Sequence, residues 1–142
     1  MECPIPTVNS NTKEMKNYFE ACKTIAVIGC SPKPEKDSNK VAKYLRDVGY
    51  DMIPVYPKED EILGQKVYRS LTEIDKPVDM VVVFRKPDVV SVIAKQAIDR
   101  GDVKVLWTQI GIVNNEAAKK AKEAGIDVVQ NYCAMIEHKA IF

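Results

Sequence analysis

The sequence predicts a doubly wound α/β fold: a mainly parallel sheet of five strands with helices on both of its faces. Short apolar runs alternate along the chain with segments whose apolar residues recur at helical spacing, which is the pattern of strands joined by crossover helices. The run at residues 78–84 is apolar at every position except Asp79. Such a run is typical of a parallel strand that is buried on both faces.

Five apolar runs are predicted to form the sheet. They occupy residues 24–28, 51–57, 78–84, 104–108 and 127–130. Pro54 in the second run has no backbone N–H to donate to a neighbouring strand, so this strand is expected at an edge or in an irregular part of the sheet. Residues 66–68 predict a further brief strand. Trp107, on the fourth run, is expected to belong to the core.

Four helices are predicted from the spacing of apolar residues and from the residue types at their ends. Their starts are predicted at Thr12, near Ser38, at Pro87 and at Asn114, and three of them are predicted to end at Gly49, Gly101 and Gly125. Ser70 predicts one further short helical turn. The residues predicted to face the sheet are Met15, Phe19, Cys22, Val41, Ala42, Leu45, Val48, Val89, Val90, Ile93, Ala97 and Ile98.

Length and charge limit the class of protein. The 142 residues suit one domain, predicted over residues 12–142 behind a loose N-terminal segment of residues 1–11. A net charge of +1 gives no overall attraction to nucleic acid or to a membrane surface. No apolar run approaches the ~20 residues of a membrane span, and the N-terminus has no signal-peptide pattern. We therefore expect a cytoplasmic protein.

The cysteines and the histidine predict neither a metal site nor a catalytic nucleophile. Cys3, Cys22, Cys30 and Cys133 are scattered without a C-x-x-C pair, and His138 is the one histidine. A structural zinc site needs about four nitrogen or sulfur ligands at short spacings. Cys133 lies five residues before His138, but no Asn or Asp is evident to orient the pair.

Cys30, beside a predicted helix start and several lysines, is expected to have a lowered pKa.

A predicted phosphate-binding corner follows the first strand. The strand ends at Gly29, a polar loop follows, and the next helix begins near Ser38. A helix start presents unpaired backbone N–H groups and a partial positive charge, both of which attract anions. Ser31 adds a hydroxyl group, and three lysines add positive charge: Lys33, Lys36 and Lys40. Strand–turn–helix corners also occur without a ligand, so the motif alone leaves both interpretations open.

The same loop lacks the motifs of two common nucleotide sites. The dinucleotide fingerprint needs three glycines, but only Gly29 is present, and Ser31 and Pro32 stand where the other two would be sought. The phosphate-cradling G-x-x-x-x-G-K-[ST] motif is also absent from the sequence. An NAD site and a nucleotide hydrolase are therefore disfavoured.

The ends of the other strands supply the remaining candidate residues, because ligands of a doubly wound sheet bind beyond the carboxyl ends of its strands. These candidates are Tyr56, Pro57, Lys58, Phe84, Arg85, Gln109 and Gly111. Lys58 stands where the phosphorylated ribose of NADP or coenzyme A would lie, and a solvated loop lysine is the alternative. Arg85 suits a phosphate, and a salt bridge to a nearby carboxylate is the alternative.

Six short motifs occur in order across residues 13–142. They are residues 25–34 (IAVIGCSPKP), 53–57 (IPVYP), 62–64 (ILG), 78–79 with 83–85, 105–107 with Gln109 and Gly111, and Cys133 with 136–138 (IEH). Together they resemble the CoA-binding-domain family of small stand-alone bacterial and archaeal proteins. That family is related to the CoA-binding domain of the succinyl-CoA synthetase α subunit.

The resemblance implies a Rossmann-like fold that holds coenzyme A across the strand ends. It implies that the phosphates lie on the loop of residues 31–33. The adenosine is expected near Tyr56, Pro57 and Phe84, and the pantetheine arm is expected to run towards Gln109 and Gly111. The full set of predicted cofactor-binding residues is Gly29, Cys30, Ser31, Pro32, Lys33, Lys40, Tyr56, Pro57, Lys58, Phe84, Arg85, Gln109 and Gly111.

The resemblance favours a binding protein over an enzyme. The sequence contains neither the phosphohistidine domain nor the nucleotide-grasp subunit of the synthetase, and we predict no catalytic residue. The expected ligand is CoA or acyl-CoA. Two alternatives remain open: an NADP-type Rossmann oxidoreductase that lacks the glycines, and a CoA-responsive regulatory partner protein.

Overall fold

A five-stranded parallel sheet with helices on both faces forms the body of the protein. The computed structural model describes residues 5–142. Its elements in chain order are α1 (Thr12–Ala21), β1 (Thr24–Ile28), α2 (Asp37–Asp47), β2 (Asp51–Val55), β3 (Glu61–Ile62), β4 (Gln65–Lys66), a 3₁₀ turn (Leu71–Glu73), β5 (Met80–Val83), α3 (Pro87–Arg100), β6 (Val105–Thr108), α4 (Asn115–Glu123), β7 (Asp127–Val129) and α5 (Ala134–Ile141).

The strand order is β2-β1-β5-β6-β7, and every neighbouring pair in this sheet is parallel. The chain leaves β1 for β2 on one side and then crosses over to β5 on the other. Ile28 at the end of β1 pairs with Val55 of β2 and with Val83 of β5. The doubly wound prediction is confirmed, and the point where the winding reverses lies between the carboxyl ends of β1 and β5.

The edge position of β2 confirms the prediction from Pro54. The backbone of Pro54 faces away from β1, where its carbonyl oxygen accepts the Tyr68 N–H (3.1 Å). The brief strand predicted at residues 66–68 is different in the structure. Only Tyr68 bridges to β2, whereas β4 pairs with β3 in a hairpin. The hairpin turns at Leu63 and Gly64, which both have positive φ (54° and 75°), as its two-residue turn requires.

Two apolar layers hold the helices on the sheet. Side chains that alternate along β1 point to opposite faces: Ile25 and Val27 pack in the layer under α1, α2 and α5, and Ala26 and Ile28 pack in the layer under α3 and α4. Trp107 is fully buried in the first layer, which confirms its predicted place in the core.

The start of α1 differs from the prediction by one residue. Asn11, not Thr12, is the N-cap: its Oδ1 accepts the Glu14 N–H (2.8 Å), and the Glu14 carboxylate accepts the Asn11 N–H (2.9 Å). This capping box satisfies two backbone donors at once. The prediction of Thr12 as the cap was wrong because a residue one position earlier offers both halves of the box.

The other predicted helix ends agree with the structure. Pro87 opens α3, Gly101 closes it in the left-handed region (φ 79°), and the Asn114 side chain caps α4 by accepting the Ala117 N–H (3.0 Å).

Val48 was predicted to face the sheet, and this prediction was wrong. Val48 is 43% exposed because it stands at the C-cap of α2, where the helical spacing ends. Two further predicted core residues, Val89 and Ile98, are only half-buried.

The C-terminal helix α5 is not predicted by the sequence pattern. It packs against α1 and α2, and His138 provides much of that contact. The His138 ring lies edge-on to Phe19 (5.1 Å between ring centroids) and against Phe142 (4.7 Å). Its Nδ1 is hydrogen-bonded to the Tyr44 hydroxyl group (2.6 Å). His138 is therefore part of an aromatic cluster between helices.

The segment before α1 was predicted to be loose, but several of its residues are bonded to the body of the protein. The Asn9 side chain accepts the Gln130 N–H (2.8 Å) and donates to the Gln130 carbonyl oxygen (3.0 Å). The Ser10 hydroxyl group donates to the Val128 carbonyl oxygen (2.7 Å). These bonds hold residues 9–10 beside β7. Residues 1–4 of the predicted segment, including Cys3, lie outside the described residues.

Two further observations concern the part of the chain that the structure describes. No helix within residues 5–142 is long and apolar enough to cross a membrane. The same residues contain no group of three or more His, Cys, Asp and Glu side chains that could hold a metal ion.

Candidate ligand-binding site

The carboxyl ends of the strands open into two neighbouring clefts. The α2 cleft has a volume of about 280 Å³ and is lined by Asp37, Lys40, Val41, Phe84, Gln109, Ile110, Ile112, Cys133, Met135 and Ile136. The β2 cleft has a volume of about 150 Å³ and is lined by Ile28, Gly29, Val55, Tyr56, Pro57, Arg69, Ser70, Leu71, Arg85, Val89, Val92, Ile93 and Gln96. They lie on opposite faces of the sheet, one beside α2 and the other beside α3.

Gly29 and Phe84 meet at the boundary between the two clefts. Gly29 has φ +85°, and a Cβ atom built on it would lie 2.9 Å from the Phe84 carbonyl oxygen. Both its left-handed backbone and this close contact require glycine. The Gly29 N–H donates to the Val55 carbonyl oxygen (2.9 Å). The turn after β1 is thereby fixed to both neighbouring strands.

The polar loop after Gly29 is held by side chains of the first turn of α2. The Ser38 hydroxyl oxygen accepts the Ser31 N–H (3.0 Å), and the Asn39 amide donates to the Ser31 carbonyl oxygen (2.8 Å). The Ser31 hydroxyl oxygen in turn accepts the Lys33 N–H (3.1 Å). These bonds place the loop directly over the helix start.

The start of α2 has no side-chain cap. Lys36 is its N-cap residue and makes no capping hydrogen bond through its side chain. The first helical bond runs from the Lys40 N–H to the Lys36 carbonyl oxygen (3.1 Å), so the N–H groups of residues 37–39 have no partner within the helix. Such a helix start attracts anions, although the Asp37 carboxylate in the same turn opposes part of that attraction.

The expectation of a lowered Cys30 pKa was wrong. The Cys30 side chain is fully buried and packs in the apolar layer under α1 and α2. Burial raises the pKa of this thiol to about 12, because an apolar surrounding disfavours the thiolate. Its backbone N–H donates to the Val55 carbonyl oxygen (3.2 Å). Cys30 therefore packs beneath the loop as a small core residue.

Gln109 is the polar residue of the α2 cleft whose hydrogen bonding is incomplete. Its backbone N–H donates to the Val83 carbonyl oxygen (3.3 Å), which fixes the residue at the end of β6. Its side chain is only 4% exposed, yet Nε2 has no hydrogen-bond partner among residues 5–142. A buried donor without an acceptor costs about 1–3 kcal/mol, so this amide is the feature of the cleft that most clearly needs an acceptor.

Arg69 organises the loop after β2. One of its terminal nitrogens, Nη1, donates to the carbonyl oxygens of Tyr56 (3.2 Å), Lys58 (3.0 Å) and Glu59 (2.7 Å). Glu59 has a positive φ of 68°, so the loop turns sharply where the guanidinium group holds it. Sequence reasoning missed Arg69 because it lies 10–13 residues from its partners in the chain and in no recognisable motif.

The structure separates some of the residues that the sequence grouped together. Phe84, expected beside Tyr56, lines the α2 cleft, whereas Tyr56 lines the β2 cleft, although both side chains pack against the apolar layer under α1, α2 and α5. Gly111 lines neither cleft, and its N–H donates to the Asn131 side chain (2.7 Å). Lys58 also lines neither cleft and is exposed. The predicted residues that do line a cleft are Gly29, Lys40, Tyr56, Pro57, Phe84, Arg85 and Gln109.

The strand order and the two clefts together define a Rossmann-like α/β domain with a candidate ligand site at the carboxyl edge of its sheet. The particular family follows from the sequence as a whole. The chain belongs to the CoA binding domain family, whose sequence model matches residues 23–139. The resemblance inferred from the six motifs is confirmed.

Relatives of similar length match nearly the whole chain. It is 40% identical over 130 residues to the uncharacterized protein YneT of Bacillus subtilis, covering 92% of this chain and 96% of YneT. The structure of a hypothetical protein from Pyrococcus horikoshii OT3 is 42% identical, with a TM-score of 0.90 and 99% of each chain covered. A longer relative is the α subunit of acetate–CoA ligase [ADP-forming] II of Pyrococcus furiosus, 29% identical over 121 residues. That match covers 83% of this chain but only 26% of the subunit.

Proposed function

We propose that this protein binds coenzyme A across the two clefts. The observation that carries the proposal is the Gln109 side-chain amide, which is buried in the wall of the α2 cleft without a hydrogen-bond partner among the described residues. The pantetheine arm of CoA carries two amide groups whose carbonyl oxygens can accept the Nε2 hydrogen. The remaining wall is mostly apolar side chains, which suits the methylene and dimethyl groups of that arm. Membership of the CoA binding domain family supports the same ligand.

The uncapped start of α2 is the proposed phosphate site. The free N–H groups of residues 37–39 are oriented by the helix, and the loop bonds of Ser31 keep its backbone fixed above them. The Ser31 hydroxyl group accepts one bond and still carries a hydrogen to donate. Lys40 lines the cleft beside this turn and offsets the Asp37 carboxylate. A pyrophosphate at this position would join the two clefts above Gly29.

The β2 cleft is the proposed adenosine site. Tyr56 and Pro57 form part of the cleft walls after β2, and Arg85 supplies a cation to the same cleft. The Arg69 guanidinium group fixes the loop that carries these walls. Lys58, the next residue along that loop, is exposed and is our candidate partner for the 3′-phosphate of CoA.

We expect binding without turnover by this chain. His138 is held in the aromatic cluster by its bond to Tyr44, so it is unsuited to act as a general base in the α2 cleft. The titratable residues that line that cleft are Asp37, Lys40 and Cys133. The match to the ligase α subunit covers about a quarter of that subunit, so about three quarters of the subunit lies outside the match.

Isothermal titration calorimetry with CoA, dephospho-CoA and NADP tests the proposal. We expect CoA to bind at one site per chain and NADP to give no measurable heat at the same concentrations. A ligand that binds only the folded state raises its melting temperature, so thermal unfolding provides a second readout. Binding of NADP without binding of CoA would replace the proposal with the oxidoreductase alternative.

A further inference from the structure

The described cysteines differ in their access to solvent and to the site. Cys22 and Cys30 are buried in the core, where burial raises the pKa of each thiol to about 12. Cys133 is partly exposed and lines the α2 cleft. Buried thiols with so high a pKa hold almost no reactive thiolate near neutral pH. The cleft therefore contains the one described thiol that a ligand can approach.

Cys133 and Gln109 line the same cleft from different elements. Gln109 follows β6, and Cys133 is the N-cap residue of α5, whose next residue, Ala134, is fully buried. The Cys133 carbonyl oxygen accepts the Glu137 N–H (3.0 Å), which fixes its backbone to the helix. The unpartnered Gln109 amide is an independent sign that this cleft holds a ligand. A pantetheine arm bonded to Gln109 brings its terminal thiol into the cleft that Cys133 lines.

We propose that Cys133 is a site of reversible thiol–disulfide exchange with the disulfide of coenzyme A or of another pantetheine thiol. This inference rests on the proposed CoA site. The Cys133 thiolate attacks one sulfur of the CoA disulfide, and a new bond joins Sγ to that sulfur. The original S–S bond breaks, and the second CoA leaves as a thiolate that takes up the proton lost by Cys133. Cys133 is oxidised and one half of the CoA disulfide is reduced, so the exchange balances without another oxidant.

The exchange would retain CoA on the protein under oxidising conditions and release it when a reducing thiol attacks the mixed disulfide. The apolar neighbours Met135 and Ile136 in the same wall favour a thiol carried on an uncharged arm over a small charged disulfide. We therefore expect selectivity for CoA disulfide over glutathione disulfide. Such selectivity distinguishes a site that recognises the pantetheine arm from a cysteine that is merely accessible to solvent.

Intact-mass spectrometry after incubation with CoA disulfide tests the inference. Cys3 lies outside the described residues, so the Cys3→Ser variant is the starting protein. We expect it to gain one CoA, to lose it on reduction, and to react at least tenfold faster with CoA disulfide than with glutathione disulfide. Cys133→Ser should abolish the adduct, whereas Cys22→Ser and Cys30→Ser should retain it. Gln109→Met should slow the reaction with CoA disulfide but not that with glutathione disulfide.

Calorimetry with CoA on the Cys133→Ser variant separates the two proposals. If this variant binds CoA while the starting protein forms no adduct, the exchange is refuted and CoA binding stands. If neither protein binds CoA and both disulfides react at the same rate, both proposals are refuted. An adduct that persists in Cys133→Ser would assign the chemistry to another cysteine and overturn the inference.

Discussion

Gly29 and Phe84 are in contact where the winding of the sheet reverses: a Cβ atom on Gly29 would lie 2.9 Å from the Phe84 carbonyl oxygen and 3.0 Å from Cδ of Arg85. Both clefts border this contact, since Gly29 lines one and Phe84 the other. In our proposal the pyrophosphate of CoA crosses here.

Gly29→Ala should destabilise the protein more than Gly49→Ala. Both glycines have a positive φ (85° and 107°), so both variants incur the cost of a left-handed alanine, about 1–2 kcal/mol. Only at position 29 does the new Cβ also clash with backbone atoms, since nothing lies within 4 Å of a Cβ on Gly49. Urea unfolding measures the free energy of unfolding of each variant. Equal losses would show that the Phe84 contact is unimportant.

Arg69→Lys should weaken CoA binding with little loss of fold stability. A lysine has no planar fork with which to donate to the three carbonyl oxygens that Arg69 holds, so the loop of residues 56–60 should become mobile. Hydrogen exchange of that loop and calorimetry with CoA provide the two readouts. Arg46→Lys is the matched control, because Arg46 donates to Leu63 in the β3–β4 hairpin and should leave the affinity unchanged.

Lys58→Ala should weaken binding of CoA but not of dephospho-CoA, which lacks the 3′-phosphate. Lys58 is exposed, so we expect a loss of roughly two- to fivefold, in line with the ~0.2–1 kcal/mol of exposed ion pairs. Calorimetry at two salt concentrations should show the difference shrinking as salt rises. A loss of the same size for both ligands would mean that Lys58 does not contact the 3′-phosphate.

His138 should make folding sensitive to mild acid. Burial lowers its pKa below the ordinary value of 6.5, so the unfolded chain binds a proton at a higher pH than the folded chain does. Its stabilising contribution is complete above about pH 6.5 and is lost as the pH falls through the lowered pKa of the folded state. His138→Gln keeps an acceptor for the Tyr44 hydroxyl group but does not titrate.

Urea unfolding of wild type and His138→Gln at pH 5 and pH 7.5 checks this prediction. The wild-type protein should lose more stability on acidification than the variant. The same loss in both proteins would place the acid sensitivity elsewhere.

The sheet was predictable because its strands depend on apolar runs that are long enough to show a pattern. The run at residues 78–84 identified β5, and Pro54 identified the edge strand. The β3–β4 hairpin was missed because its strands have two residues each, too few for any periodicity. Helix α5 was missed because its eight residues are stabilised by contacts such as that of His138 with Phe19, which are distant in sequence.

The candidate site was predictable only in part. Strand ends are readable from sequence, so Gln109 and Tyr56 were correctly placed at the carboxyl edge. The direction of a loop side chain depends on three-dimensional packing, and Cys30 accordingly turned into the core rather than towards the lysines. Tyr56 and Phe84 line different clefts although both pack against the same apolar layer, and no local sequence pattern contains this division.

The titration of CoA into the Gln109→Met variant tests the proposed site most directly. Methionine has a similar shape but no N–H, so the variant should bind CoA about three- to tenfold more weakly than wild type, in line with the ~0.5–1.5 kcal/mol of a net hydrogen bond. The free variant should be at least as stable as wild type, because it removes a buried donor that lacks a partner. Gln65→Met, in β4 and outside both clefts, should bind like wild type. An unchanged affinity of the Gln109→Met variant for CoA would contradict the proposed site.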